Sequence, residues 1–212
     1  MAEEQQHGFA FQEFVRETAA NIKGSAAAFT DYTGKWDMLA VDNPDSAGGP
    51  ISIKTAQWNS GIGFGDVLRQ FSLQETFTLV VGFWQWQRGI KKVVKVVVIT
   101  VVPEVWRSLW CPIEVRDLLL LNEVVKDMTQ TPQAARHAAQ AIVSRPPFTQ
   151  AVFTVNRKID SKQQRRVQCS LSQAKLFTRL ARDVSMEMDA EPELWGRPAA
   201  LSLPGKKRFG AV

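Results

Sequence analysis

Asp37, Lys54 and Asp66 are the residues of this chain whose types and spacing best suit chemistry. Asp37 sits in Lys35-Trp36-Asp37-Met38-Leu39-Ala40-Val41, and Lys54 in Ile51-Ser52-Ile53-Lys54-Thr55-Ala56. Asp66 opens Asp66-Val67-Leu68-Arg69-Gln70-Phe71 after a glycine-punctuated stretch. An aspartate on one short strand and a lysine on the next can converge on one metal and one phosphate. Phosphodiester hydrolysis asks for that arrangement: an attacking water must lose a proton, charge developing at phosphorus must be neutralised, and the leaving oxygen must be stabilised. Magnesium prefers oxygen ligands and keeps several waters, so two or three acids with a lysine, and no His or Cys, suit it. The leading expectation is metal-dependent phosphodiester cleavage with one or two magnesium ions per site. Each residue also has a plainer reading. Asp37 is then a strand-edge acid, and Asp66 a helix cap favoured by the macrodipole. Lysine inside an apolar strand is the least expected of the three, because lysine is rarely buried without a partner.

The elements that must position these residues follow from periodicity. Phe9, Phe11, Phe14, Val15, Ala19 and Ile22 recur at helical spacing through Gly8–Lys23, and Gly24 stops the pattern. Lys35–Val41 reads as a strand, Asp42–Pro50 as a turn-rich connection and Ile51–Ala56 as a second strand. Gly61–Gly65 reads as loop and Asp66–Phe71 as the start of a helix. Thr76–Gln85 and Lys92–Val102 are strand-like, and the apolar run Val93–Val102 predicts a central strand covered on both faces. Pro112–Met128 and Pro132–Ser144 read as helices that open near a proline. Ala151–Ile159 and Arg165–Ser170 read as a β-ribbon, and Leu171–Met188 as a last helix. The order predicts an α/β (α+β) fold: a mixed central sheet flanked by helices, with a C-terminal ribbon and helix.

Asp37 on one strand, Lys54 on the next and a helical acid after it resemble the PD-(D/E)XK nuclease superfamily, which includes many type II restriction endonucleases, resolvases and repair nucleases. The resemblance spans roughly Gly8 to Val102 by element order, although the motif itself is only a few residues. It implies a restriction-endonuclease-like fold over one domain, 1–212, with a catalytic core at 1–110, a helical and basic DNA-binding part at 111–190 and a tail at 191–212. The pattern is altered in two places. Trp36 replaces the proline before Asp37, and Ser52 replaces the acid two residues before Lys54. Some restriction endonucleases carry a serine there and have the acid on the following helix, a little over a dozen residues past the lysine. Asp66 lies twelve residues after Lys54 and is the displaced acid that the resemblance implies; Glu75 is the more distant alternative. The resemblance makes Asp37 and Asp66 metal ligands, Lys54 the group that activates water and offsets phosphate charge, and Ser52 a supporting hydrogen-bonding group. Glu13 on the first helix becomes an accessory metal ligand. Gln57, just past the second strand, is placed to meet metal-bound water or phosphate.

Arg157, Lys158, Lys162, Gln163, Gln164, Arg165, Arg166 and Gln168 fall in one short stretch; from Asn156 to Arg182 there are eight basic residues and one acid, Asp160. Arg and Lys neutralise phosphates, while Arg and Gln can reach base edges in the major groove. The stretch is read either as a DNA-reading surface or as a solvated hairpin. Arg88, Lys91 and Lys92, between two strands, are a second basic group expected to flank the same groove. Lys206-Lys207-Arg208 in the tail can track backbone phosphate. Seven tryptophans are many for this length; Trp84 and Trp86 share a strand face and serve as core, interface or stacking platform.

Composition sets the bounds. The chain has 212 residues, 45% of them hydrophobic, and a formal charge of +5. That is enough for a buried core, and the basic balance favours a polyanionic partner. Two cysteines without a CxxC and only two histidines exclude a Cys/His zinc site, and reduced thiols are expected. The acidic, polar N-terminus is not a signal peptide, and Val93–Val102 is too short to span a bilayer as a helix; a cytoplasmic protein with no membrane partner is expected. Duplex DNA is the expected partner. A homodimer is also expected, since two sites related by a two-fold axis match a palindrome. A resolvase, a repair nuclease, a catalytically inactive DNA-binding protein of the same fold, and an interaction protein without nucleic-acid function are the other readings.

Overall fold

The computed structural model describes residues 3–25, 35–161 and 164–203. The described chain is mixed α/β, with six α-helices and a mixed sheet at its centre. Its contacts divide it into two compact units: 1–60, 75–101 and 176–212 form the first, and 61–74 with 102–175 form the second.

The first unit opens with α1 (Glu3–Lys23). Phe11, Val15 and Ala19, spaced by four, are fully buried along one face. Gly24, at φ 65°, ends the helix in the left-handed conformation, and the Ser25 amide turns back to the Ala20 carbonyl. The unit's sheet runs in the order β1 (Ile51–Gln57), β3 (Phe77–Gln87), β4 (Ile90–Val101), β9 (Ser202–Leu203). β1 pairs parallel to β3, and β3 antiparallel to β4, which makes the sheet mixed. Phe11 closes on β3 at Gly82, where a Cβ would stand 2.5 Å from the Phe11 ring. Glycine in this strand interior is what lets the helix approach. Arg88 and Gly89, both at positive φ, make the two-residue β3–β4 turn.

β1 is held at its start by a buried polar network. Asn43, fully buried, donates to the Gly49 carbonyl (2.7 Å) and to Thr78 Oγ1 (2.8 Å), and Thr78 Oγ1 donates to the Gly48 carbonyl (2.9 Å). These bonds satisfy the backbone of the Pro/Gly turn that the sequence placed at Asp42–Pro50. A small hairpin, β7 (Glu193–Leu194) with β8 (Arg197–Pro198), completes the unit and adds Leu194 and Ala199 to its core.

In the second unit β2 (Gly61–Asp66), β6 (Arg165–Ser172) and β5 (Thr154–Ile159) form an antiparallel sheet in that order. With it are α2 (Val67–Phe71), α3 (Pro103–Ser108), α4 (Val115–Lys126) and α5 (Pro132–Val143). Phe64, Trp106, Trp110 and Phe153 pack edge-to-face or tilted at 4.4–5.7 Å between ring centres. Trp106 Nε1 donates to the Gln70 carbonyl. α6 (Gln173–Arg179) carries the chain back into the first unit. Cys111 and Cys169 are free thiols, the first exposed and the second buried.

Several sequence expectations are corrected. Lys35–Val41 is not a strand: Met38 alone bridges to Ile51, and Ala40–Asp42 coil into a 3₁₀ turn that leaves Leu39 and Val41 exposed. Gly61–Gly65 is strand and not loop, because Ile62 and Phe64 alternate into the core while β6 supplies the ladder. The strand buried most continuously is β3, flanked on both sides; β4 is buried over Val93–Val97 but exposes Val98 and Thr100. The last helix is short. Residues 171–172 belong to β6, and past Arg179 the chain returns along β4, where Asp189 pairs with the buried Lys95 at 2.7 Å. Among the described residues, no helix is long and apolar enough to cross a membrane.

Candidate functional site

The site lies in the first unit, where the chain before β1 meets α1. The Asp37 and Met38 amides both donate to the Ile51 carbonyl, which fixes Asp37 alongside the start of β1. Donors from α1 and β1 then converge on its carboxylate. Gln12 Nε2 reaches Oδ1 at 2.9 Å; the Ile53 amide and Lys54 Nζ reach Oδ2 at 2.7 and 3.1 Å. Arg16, one turn after Gln12 on α1, donates Nε and Nη2 to the Asp37 carbonyl at 3.3 and 3.0 Å. Lys54 Nζ also donates to the Ile53 carbonyl at 2.9 Å.

This arrangement joins two charges and orients both. The Asp37 and Lys54 side chains are 23% and 21% exposed, so solvent still reaches them while the protein sets their directions. Lys54 and Arg16 bring two cationic side chains to Asp37, a setting that suits an anionic ligand such as a phosphate diester. The structure thus brings together Asp37 and Lys54, as the sequence predicts. It adds Gln12 and Arg16, which sequence reasoning missed. Their only signal was a polar pair at i and i+4 interrupting the apolar pattern of α1.

Glu13 is exposed on α1, and Gln12 beside it is the side chain that meets Asp37. Ser52 is buried in β1, alternating with Lys54 on one strand face. Gln57 is exposed at the end of β1. Asp66 belongs to the second unit and caps α2, its carboxylate accepting from the Arg69 amide at 2.9 Å. Glu75 pairs with Lys35. Among the described residues no group of three or more His, Cys, Asp or Glu is placed to hold a metal. The donors present at the site fit one hard cation held through a single carboxylate, Asp37, with water and substrate oxygens completing its shell, a mode magnesium uses.

The basic residues divide sharply. Arg88 is exposed at the β3–β4 turn and Lys92 is exposed on β4. Lys91 is a correction: it is 5% exposed, its ammonium 4.8 and 5.3 Å from the ring centres of Trp84 and Trp86, so it is committed to the interior. Arg165 is a second correction. It is 6% exposed, and its guanidinium closes the α4–α5 connection by donating to the carbonyls of Asp127 and Gln130. Arg157 is half-buried and donates to the Arg136 carbonyl, while Arg136 donates to the Ile159 carbonyl. Lys158, Gln164 and Arg166 are exposed and Gln168 is half-buried. Lys162, Gln163 and the tail cations Lys206, Lys207 and Arg208 lie outside the described residues.

Comparisons with family models, with curated proteins and with solved structures return no significant match.

Proposed function

We propose that this chain is a magnesium-dependent endodeoxyribonuclease of the type II restriction class, a cytoplasmic homodimer with a restriction-endonuclease-like core. The observation that carries the reading is the Asp37–Lys54 contact at 3.1 Å, with the carboxylate oriented by two further donors, Gln12 and the Ile53 amide. A divalent cation bound at Asp37 would neutralise charge on the scissile phosphate and acidify the attacking water. The residues of the chain do the rest. Lys54 exchanges its bonds to Asp37 and the Ile53 carbonyl for a phosphate oxygen or the attacking water. Gln12 keeps Oδ1 of Asp37 directed, and Arg16 prevents the main chain beneath it from moving. Asp66 belongs to the second unit and Glu13 is exposed on α1, so we build the site on Asp37 and Lys54.

One observation favours a second reading. Ser52 stands where an acid would supply a second carboxylate, and among the described residues no group of three or more His, Cys, Asp or Glu is placed to hold a metal. A DNA-binding protein that keeps the nuclease fold without its activity fits that shortage. Supercoiled plasmid incubated with the purified protein separates the two. The endonuclease nicks or linearises it in magnesium and not in EDTA; a folded protein that leaves plasmids of diverse sequence intact contradicts the hydrolytic reading.

A further inference from the structure

The second unit presents a polar sheet face that the site above does not use. Antiparallel partners point to the same side, so the register sorts the side chains directly. On the solvent side of β5 and β6, Lys158 stands opposite Arg166, Asn156 opposite Gln168 and Thr154 opposite Ser170. β2 continues the rows with Gly61 opposite Ser172, Gly63 opposite Ser170 and, past a register shift, Asp66 opposite Gln168. The inward positions Val155, Ile159, Val167, Cys169 and Leu171 are buried.

Two features of this face are not explained by the fold itself. Like charges directly opposite each other across a strand pair are destabilising. Lys158 and Arg166 are so placed, and neither makes an ion pair or side-chain hydrogen bond among the described residues. The amide beside them, Gln168, likewise has no side-chain partner among the described residues, whereas Asn156 is oriented by a 2.8 Å bond to Ser170 Oγ. Gly63, by contrast, is accounted for by the fold: it stands where the register of β2 against β6 shifts, between Gly63 and Gly65.

We propose that the solvent face of the β2–β6–β5 sheet is the duplex-DNA docking surface. Lys158 and Arg166 take backbone phosphates, and the Asn156 and Gln168 amides face the base edges. The charge pair selects a polyanion, and amides able to donate and accept together suit base edges. The assignment rests on DNA being the substrate of the Asp37–Lys54 site. It separates Arg166 and Lys158, which bind, from Arg165, which holds the fold.

Binding of fluorescent duplex DNA to the full chain, measured in EDTA across a salt series, tests the assignment without depending on cleavage. Lys158→Ala removes one of two like charges that face each other and keeps at least the melting temperature of wild type, yet weakens binding and flattens its salt dependence by about one counterion. Arg166→Ala weakens binding and flattens the salt dependence by about one counterion. Wild-type affinity and salt slope in both variants overturn the docking surface and leave the hydrolytic reading standing. A wild type that binds no duplex overturns the docking surface together with the choice of DNA. Binding that the two variants weaken, in a protein that never cuts, supports the surface and removes the endonuclease.

Discussion

Gln12 is the clearest quantitative test of how the site is held. Its amide donates to Oδ1 of Asp37 at 2.9 Å, while the Ile53 amide and Lys54 Nζ donate to Oδ2. Gln12→Ala therefore removes a donor to Oδ1. A hydrogen bond to a charged group is worth about 1.5–3 kcal/mol. With Asp37 23% exposed, water replaces part of the loss, which puts the cost near or just below the lower end of that range. If that amount is lost from the reactive geometry, the single-turnover rate falls about tenfold. If it is lost from the folded state, the melting temperature falls by about 2–5 °C. Gln12→Glu makes a contrasting prediction. A second carboxylate beside Asp37 repels it unless a cation intervenes, so the magnesium concentration for half-maximal cleavage drops. The assays are magnesium-titrated cleavage under single-turnover conditions and thermal melting. Gln12→Ala with both rate and melting temperature of wild type would refute the claim that α1 orients Asp37.

Other predictions test how the fold supports the site. Gly82→Ala forces a Cβ against the Phe11 ring, one residue before Gln12; overpacking of this kind costs about 1–3 kcal/mol, and Phe11→Leu in the same chain should restore part of the melting temperature. A Gly82→Ala protein that melts as wild type contradicts the packing of α1 on β3. Asp127 tests the acid side of the stability curve. Hydrogen bonds from the Thr129 side chain, then Gln130 and the Thr129 amide, hold its carboxyl below the ordinary value of 3.8. Its contribution is therefore complete above that value and fades as pH falls through the lowered one. Asp127→Asn flattens the loss of stability in this acid window, as followed by urea unfolding at stepped pH; an unchanged profile rules the contribution out.

Much of the first unit was legible because its elements obey simple periods. The i, i+4 apolar spacing of Phe11, Val15 and Ala19 marks α1, and β-branched runs mark β3 and β4. Asp37 and Lys54 were legible through residue type, a lone lysine in an apolar strand and an acid shortly before it. Their contact does not require the strand expected at Lys35–Val41. It requires the Asp37 and Met38 amides to meet the Ile51 carbonyl, a tertiary pairing with no local signature. Gly61–Gly65 was misread because glycine punctuates turns, although Ile62 and Phe64 carry a period of two that the ladder with β6 turns into strand. Gln12 was overlooked in favour of Glu13 because acids announce metal chemistry and amides do not. Which arginine faces solvent depends on strand register: neighbouring positions on β6 point to opposite sides, so Arg165 is buried and Arg166 is exposed.

Cleavage of mixed-sequence duplex DNA by wild type and by Lys54→Ala, with and without magnesium, tests the central claim most directly. The account predicts discrete, magnesium-dependent fragments from wild type. It predicts their loss in a variant that remains folded and still binds DNA in EDTA. Fragments of the same pattern and rate from Lys54→Ala, or no cleavage by a folded wild type at any magnesium concentration, would contradict it.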